Sequence, residues 1–469
     1  MSAPHVVVVG GGLAGITAAM ALRDAGIDVT LLEARPRLGG AATSFRRGEL
    51  TIDNGQHVFL RCCDHYQRLL GRLGATGSVT IQDRFDVTVL TPDGRQARLR
   101  RSGLPGPLHL TRALAGYRLL TPGQRLRVAR AALGMRLLDP AAPGLDQVRL
   151  GDWLAARGQD ERTRRVLWDL FIVSALNVAG DDASLALAAT VIKTALLGAA
   201  SAADIGIASV PLGDLHGTAA AAMLGGLGAR VRLGERVTGI ERSADRWLVA
   251  TGPEGAAAEY DGVLLAVPPG QASRLAVAAG AAGAARWREL GTSPIVNVHV
   301  RYDRRVTHLP LAVAVDSPVQ WVFDKTAQAG VASGQYLAVS LSAADDYVDT
   351  PVARLREIFV PELKRLFPAA AGAAITDFFV TRERHATLRQ APGTGSLRPG
   401  AATGVRGLAV AGAWTDTGWP DTMEGAVRSG FNGAQELAWQ LGAGAVGPAA
   451  ERRAGRRAAA VAADRAVAS

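Results

Sequence analysis

The first thirty-three residues constrain the fold more tightly than any other part of the chain. Residues 5–9, His-Val-Val-Val-Val, read as a short strand apolar on both faces, the pattern of a buried parallel strand. The strand runs into Gly10-Gly11-Gly12-Leu13-Ala14-Gly15, then into a helical stretch over residues 16–25. A second strand over residues 28–32 ends at Glu33, 21 residues past Gly12. Strand, glycine turn, helix, strand and terminal acid together make a dinucleotide-binding fingerprint. Gly10 permits the tight turn, Gly12 lets the backbone approach a pyrophosphate, and Gly15 lets helix and strand pack closely. The helix start, through Leu13 and Ala14, offers free N–H groups and partial positive charge to phosphates. Glu33 is placed to accept hydrogen bonds from a ribose 2′-hydroxyl, which argues against NADP at this site.

Size and composition bound what surrounds this unit. A chain of 469 residues exceeds one simple core, so two domains are expected. An apolar fraction of 48% with 20% charged residues excludes disorder for most of it. The two cysteines, Cys62 and Cys63, are neighbours. They cannot staple a scaffold, and their number rules out a four-cysteine zinc site. A reducing, cytoplasmic setting is expected. The amino terminus lacks a basic region and a cleavage site, so no signal peptide is expected. No uncharged apolar run reaches about 18 residues, the length of a spanning helix. The most apolar candidate, residues 185–203, contains Lys193 and reads as buried helix. The net charge of +10 is almost all arginine, with lysine only at Lys193, Lys325 and Lys364. No nucleic-acid recognition motif accompanies it, whereas attraction to an anionic membrane surface stays open.

The residues after Glu33 decide which dinucleotide. Glu33-Ala34-Arg35-Pro36-Arg37-Leu38-Gly39-Gly40 resembles the extension seen in the amine-oxidase and phytoene-desaturase superfamily. There a glycine pair lies against the phosphates and ribityl chain of FAD. Two glycines expose backbone amides to an anion without obstruction. The superfamily usually has arginine directly after the pair; here Ala41 stands there, leaving Arg35 or Arg37 to supply that contact. Asp53-Asn54-Gly55-Gln56-His57 resembles the segment beside the isoalloxazine ring. The resemblance also implies that Val237 holds the adenine through its main chain and that Pro268 closes a strand near the cofactor. It implies further that Gly412 turns beneath the ribityl chain. Ala413 replaces the usual acidic residue there, with Asp416 the nearest substitute, and Trp419 closes that block. Thr422-Met423-Glu424-Gly425-Ala426-Val427 would open a last helix whose start faces the flavin N1/O2 edge.

The fold implied is α/β: a Rossmann-like, glutathione-reductase-like FAD-binding domain with an interleaved α+β substrate-binding domain. Residues 1–80, 206–290 and 401–442 are expected to form the FAD-binding domain, and 81–205 and 291–400 the substrate domain. Within the second unit, residues 86–90 and 96–100 read as a hairpin about Pro92-Asp93-Gly94. Residues 296–302, 321–323 and 336–341 read as strands of a sheet over the substrate cavity. Residues 443–469, rich in alanine and arginine without apolar period, read as a disordered basic tail.

Four blocks narrow the resemblance. They are residues 53–59, residues 209–217 (Ser-Val-Pro-Leu-Gly-Asp-Leu-His-Gly), residues 293–299 (Ser-Pro-Ile-Val-Asn-Val-His) and residues 411–420 (Ala-Gly-Ala-Trp-Thr-Asp-Thr-Gly-Trp-Pro). They are similar to the squalene-associated FAD-dependent desaturases, the hydroxysqualene dehydroxylase family of squalene and hopanoid biosynthesis. That likeness implies reductive loss of the hydroxyl of hydroxysqualene, giving squalene, with an isoprenoid lipid as substrate. Hydroxide is a poor leaving group, so a proton donor is required. The candidates are His57, Asp214, which could instead cap a helix near Leu215, and His216. A carotenoid-type desaturase is the nearest alternative, followed by an amine oxidase and a flavin-free isoprenoid-binding escort. Residues 104–138 carry six arginines among many leucines and no acidic residue. This stretch reads either as a segment at the inner face of the cytoplasmic membrane or as helices with solvated basic faces.

Overall fold

Four consecutive valines give the first strand no polar side, and the chain buries both its faces. In the computed structural model, which describes residues 3–252, 256–444 and 446, His5–Val9 is the central strand of a five-stranded parallel sheet. The order is Arg230–Leu233, Asp28–Glu33, His5–Val9, Gly262–Leu265, Leu408–Val410. Val6 and Val8 enter one apolar cluster, with the helices Leu13–Asp24 and Met423–Gln440. Val7 and Val9 enter another, beneath the antiparallel strands Val237–Ser243, Arg246–Thr251 and Ala256–Tyr260. The two helices cross closely because Gly430 has no side chain: a Cβ there would stand 2.4 Å from the Ala14 carbonyl oxygen.

A second sheet has seven strands, in the order Ile375–Leu388, Thr292–Tyr302, Gln335–Leu341, Trp321–Asp324, Leu311–Ala314, Asp86–Leu90, Gln96–Arg100. All its pairings are antiparallel except Leu311–Ala314 with Asp86–Leu90. The hairpin turns at Gly94, whose φ of +82° is the reason glycine stands there. One face packs on helices that include Pro122–Leu137, Asp169–Leu176 and Leu185–Val191, through Val87, Val89, Val313 and Phe323. The other face carries the helix Val352–Leu366.

A small sheet joins the two regions. Ile205–Ala208 pairs with both Val58–Leu60 and Val79–Ile81. The boundary expected between 205 and 206 therefore falls inside a strand. The helix expected over 185–203 is shorter: it leaves α-geometry after Val191 and has ended by Leu197. Of the basic tail expected over 443–469, only 443, 444 and 446 are described, and the rest lies outside the described residues. Val446 is buried, not solvated.

Candidate functional site

The glycine turn closes on itself through backbone contacts that admit no side chain. Gly10 has φ +110°, and a Cβ there would meet the Ala266 carbonyl oxygen at 2.3 Å. At Gly15 a Cβ would stand 1.9 Å from the Gly10 oxygen. Gly12 differs, since the nearest atom to its Cβ would be Gly40 Cα at 3.7 Å. The helix opening here has no side-chain cap and no acid in its first turn. Its first ladder bond runs from Ile16 N–H to Gly12 O at 2.9 Å. The N–H groups of Leu13, Ala14 and Gly15 therefore lie outside the ladder, aligned with the positive end of the helix.

The glycine pair completes the concavity. Gly39 and Gly40 both have positive φ, and Gly39 N–H donates to Gly11 O at 2.9 Å. Glu33, nearly buried, accepts from Gly11 N–H at 2.6 Å and Arg35 N–H at 2.8 Å. Each oxygen keeps a lone pair for a further donor. Arg35 reaches the Gly40 carbonyl at 3.4 Å and Arg37 the Thr43 hydroxyl at 3.0 Å. Both arginines are exposed, as are Ala34 and Ala41. Unclaimed amides at a helix start, a glycine-lined approach and a carboxylate with spare acceptor capacity fit a nucleotide diphosphate with its ribose.

A later loop supplies a second helix start. Gly412 donates to Ser429 Oγ at 2.8 Å, and a Cβ on Gly425 would stand 2.5 Å from the Pro420 oxygen. Thr422 caps the last helix by accepting from Gly425 N–H, and Ala426 N–H begins the ladder on Thr422 O. The N–H groups of Met423 and Glu424 are left outside that ladder. Arg398, which the sequence did not flag, shapes the loop: its guanidinium, 8% exposed, donates to the carbonyls of Ala413, Thr415 and Trp419 at 3.0, 2.6 and 2.8 Å. Trp414 Nε1 ties the loop to Val267 O at 3.0 Å, beside Pro268. Pro268 caps the helix Pro269–Ala278, and buried Val237 pairs with Thr251 at the edge of the antiparallel layer.

Three expected roles change at this loop and beside it. Asp416 is exposed, and its Oδ1 closes its own turn on Gly418 N–H at 3.1 Å. Trp419 lies under the Arg428 guanidinium at 4.4 Å. Glu424, expected to contact the cofactor, is committed elsewhere. It accepts from His65 N–H at 3.2 Å, Tyr66 N–H at 2.8 Å and Arg428 Nε at 2.7 Å. Burial alone would raise its pKa, but bonds from His65, Tyr66 and Arg428 hold it below the ordinary carboxylate value. Its carboxylate pins the helix Asp64–Arg72 to the last helix, 358 residues later.

The third change concerns the donor candidates, which the structure separates. Asp214 is exposed and accepts from the Thr218 hydroxyl at 3.3 Å, inside a helical stretch that already begins at Gly213. It caps nothing. His216 is fully buried; Nδ1 meets Ala42 O at 3.2 Å and Nε2 meets the Tyr66 hydroxyl at 2.8 Å. Both ring nitrogens are used, and burial takes its pKa down to about 4. Its ring is neutral, and both its nitrogens are already engaged by Ala42 and Tyr66. His57 is half-buried, and its ring makes no hydrogen bond among the described residues. Burial lowers its pKa, opposed by Asp53 and reinforced by Lys325. Gln56 beside it is also half-buried.

Lys325, like Arg398, is a residue of this region that sequence reasoning missed. It follows the strand Trp321–Asp324 and meets Asp53 at 3.0 Å, both side chains almost wholly enclosed. Asp53 also accepts from Ser44 Oγ at 2.7 Å and Leu212 N–H at 3.0 Å. Asn297, in one of the four blocks, donates to Asn54 O at 3.3 Å; its own Oδ1 is buried and has no partner among the described residues. An orphaned acceptor beside residues 53–57 fits an N–H or O–H group of a molecule bound there.

Comparison with known proteins agrees with this geometry. The family model described as flavin containing amine oxidoreductase matches residues 13–438. A hydroxysqualene dehydroxylase of Sinorhizobium fredii is 30% identical over 451 residues, covering 92% of this chain and 98% of the relative. One from Rhodopseudomonas palustris is 30% identical over 455 residues, covering 93% and 98%. A zeta-carotene desaturase of Arabidopsis thaliana is 26% identical over 481 residues, covering 91% and 83%. Among solved structures, cyclohexylamine oxidase from Brevibacterium oxydans superimposes with a TM-score of 0.71 at 19% identity, over 94% of this chain and 99% of that one. An oxidoreductase from Methanosarcina mazei gives 0.69 at 18% identity, over 91% and 98%. These likenesses show the α/β fold.

Proposed function

The chain belongs to the flavin-containing amine oxidoreductase family, beside the hydroxysqualene dehydroxylases, and from that footing we propose that it binds FAD and removes the hydroxyl of hydroxysqualene to give squalene. Its character as a flavin-dependent oxidoreductase follows from the family. The choice of reaction rests on one observation: the likeness to two hydroxysqualene dehydroxylases runs along nearly the whole chain. In this reading residues 1–80, 206–290 and 401–442 hold the cofactor, with the second boundary moved to accommodate Ile205–Ala208. Residues 81–205 and 291–400 enclose the isoprenoid.

FAD, when bound and reduced, supplies a hydride equivalent to the allylic carbon. The amides of residues 13–15 and 423–424 would hold its phosphates and ring edge, and Glu33 its ribose. The departing oxygen takes a proton and leaves as water, so alcohol, proton and hydride become hydrocarbon and water. His57 holds that proton at its ring. Burial and the nearby Lys325 charge lower its pKa, which makes the imidazolium a stronger acid toward a poor leaving group. Asp53 keeps Lys325 in place. Asn297 Oδ1 answers a donor on the bound molecule.

The test is anaerobic: chemically reduced enzyme receives hydroxysqualene, and the products are identified. Squalene is expected. Turnover should fall as pH rises through a value below 6.5, and His57→Gln should remove that limb while the yellow flavin stays bound. The zeta-carotene desaturase relative favours a second reading, carotenoid desaturation. Oxidised enzyme that dehydrogenates phytoene or zeta-carotene, with no squalene formed by the reduced enzyme, would replace the first reading by the second.

A further inference from the structure

The helix Pro122–Leu137 has two apolar faces, of which only one is covered. Val128, Ala131 and Met135 are buried against the helical layer. Leu126, Leu133 and Leu137 are 65, 60 and 80% exposed. Steps of seven and four residues at about 100° each place these three within about 40° of one another, roughly opposite the buried residues. Leu108 and Leu104, on the approach to this helix, are 52 and 39% exposed. The exposed leucines are thus concentrated in one short stretch rather than scattered as on an ordinary surface.

Charge accompanies the stripe along the same stretch of chain. Arg112, Arg118, Arg130 and Arg136 are exposed, and their guanidinium groups have no ion pair or hydrogen bond among the described residues. Arg125 and Arg127 are different: Arg125 binds the carbonyls of Tyr117 and Leu120, and Arg127 pairs with Asp160. No acidic residue occurs from 104 to 138. Exposed leucines framed by unpaired arginines are the composition of a helix lying in a bilayer interface. A symmetric second copy would bring these same arginines face to face, which like-charge repulsion disfavours. No described helix is long and apolar enough to cross a membrane.

We propose that this face docks the protein on an anionic lipid bilayer, Leu126, Leu133 and Leu137 entering the acyl boundary and Arg112, Arg118, Arg130 and Arg136 meeting the lipid phosphates. The helix lies in the surface and does not span it. The proposal concerns this surface and holds whichever isoprenoid the enzyme turns over.

The experiment is flotation of the purified flavin-bound protein with vesicles of phosphatidylcholine alone or with phosphatidylglycerol. The protein should float with the mixed vesicles, at least tenfold more than with phosphatidylcholine alone, and less in high salt. The triple variant Leu126→Gln, Leu133→Gln, Leu137→Gln should lose at least tenfold in binding, with unchanged flavin content and unchanged turnover of substrate presented in detergent. Arg130→Glu with Arg136→Glu should abolish the preference for anionic lipid. Failure of the parent to float, or flotation of the triple variant equal to the parent's, would overturn the proposal. So would leucine-dependent dimerisation without lipid, read by sedimentation. Because turnover is measured in detergent, loss of docking and loss of the proposed reaction are read separately.

Discussion

Replacing Gly12 by alanine should separate cofactor binding from folding. In the protein alone the new methyl is tolerated: its nearest neighbour, Gly40 Cα, is 3.7 Å away, an ordinary contact. Gly12 has φ −78° and ψ 179°, extended backbone open to alanine. Alanine is a poorer helix cap than glycine by up to about 1 kcal/mol, and it loses about 0.4–1 kcal/mol less chain entropy on folding. These effects nearly cancel, so the melting temperature of the apoprotein should move by no more than a few degrees. For the bound cofactor the methyl stands before the free amides of residues 13–15. Displacing a phosphate from two charge-assisted hydrogen bonds at about 1.5–3 kcal/mol each costs about 3–6 kcal/mol, or roughly two to four orders of magnitude in affinity. Titration of apoprotein with FAD, followed by flavin fluorescence, measures this. Gly15→Ala is the contrast, because its Cβ would lie 1.9 Å from Gly10 O and the turn itself must open. It should lose stability along with binding. If Gly12→Ala bound FAD within threefold of the parent, the phosphate would not lie at this helix start and the cradle reading would fail.

Three further substitutions test the buried charges. Lys325→Met strands the Asp53 carboxylate, leaving it only Ser44 and Leu212, and should cost about 3–5 kcal/mol in urea unfolding. Adding Asp53→Asn should recover most of that loss, and equal stability of single and double variants would show that the pair carries no coupling. Asp169 is shifted by burial, then by Asp181, to about 6 from 3.8. The native state therefore keeps a proton that the unfolded chain has released, so its contribution is full below pH 3.8 and is lost as pH rises to about 6. Two units correspond to about 3 kcal/mol, which the parent should lose between pH 4 and 7 relative to Asp169→Asn. Parallel stability–pH curves for the two proteins would contradict it.

What the sequence disclosed about the site was local. The strand, glycine turn, helix and Glu33 fall within one short stretch, and each carries a steric or electrostatic reason for its residue type. The roles it misread depend on direction rather than identity. Asp214 and His216 are two residues apart in one helical stretch, on nearly opposite sides of it, so one faces water while the other is sealed in the core. Glu424 sits at a helix start as expected, yet its carboxylate turns to the amides of His65 and Tyr66. Arg398 sits in a stretch without periodicity, and only the loop wrapped around it reveals its use.

By itself the sequence determined that the chain would build a parallel sheet with a tight glycine turn opening a helix, because positive φ, close backbone approach and alternation of strand and helix are written in consecutive residues. The tertiary structure alone decided that Lys325 meets Asp53, that Asn297 Oδ1 has no partner among the described residues, and that a stripe of leucines stays outside. A charge pair between residues far apart in the chain, a missing partner and an uncovered face are properties of what surrounds a side chain. Burial and direction arise only when distant segments pack, and no local pattern encodes them.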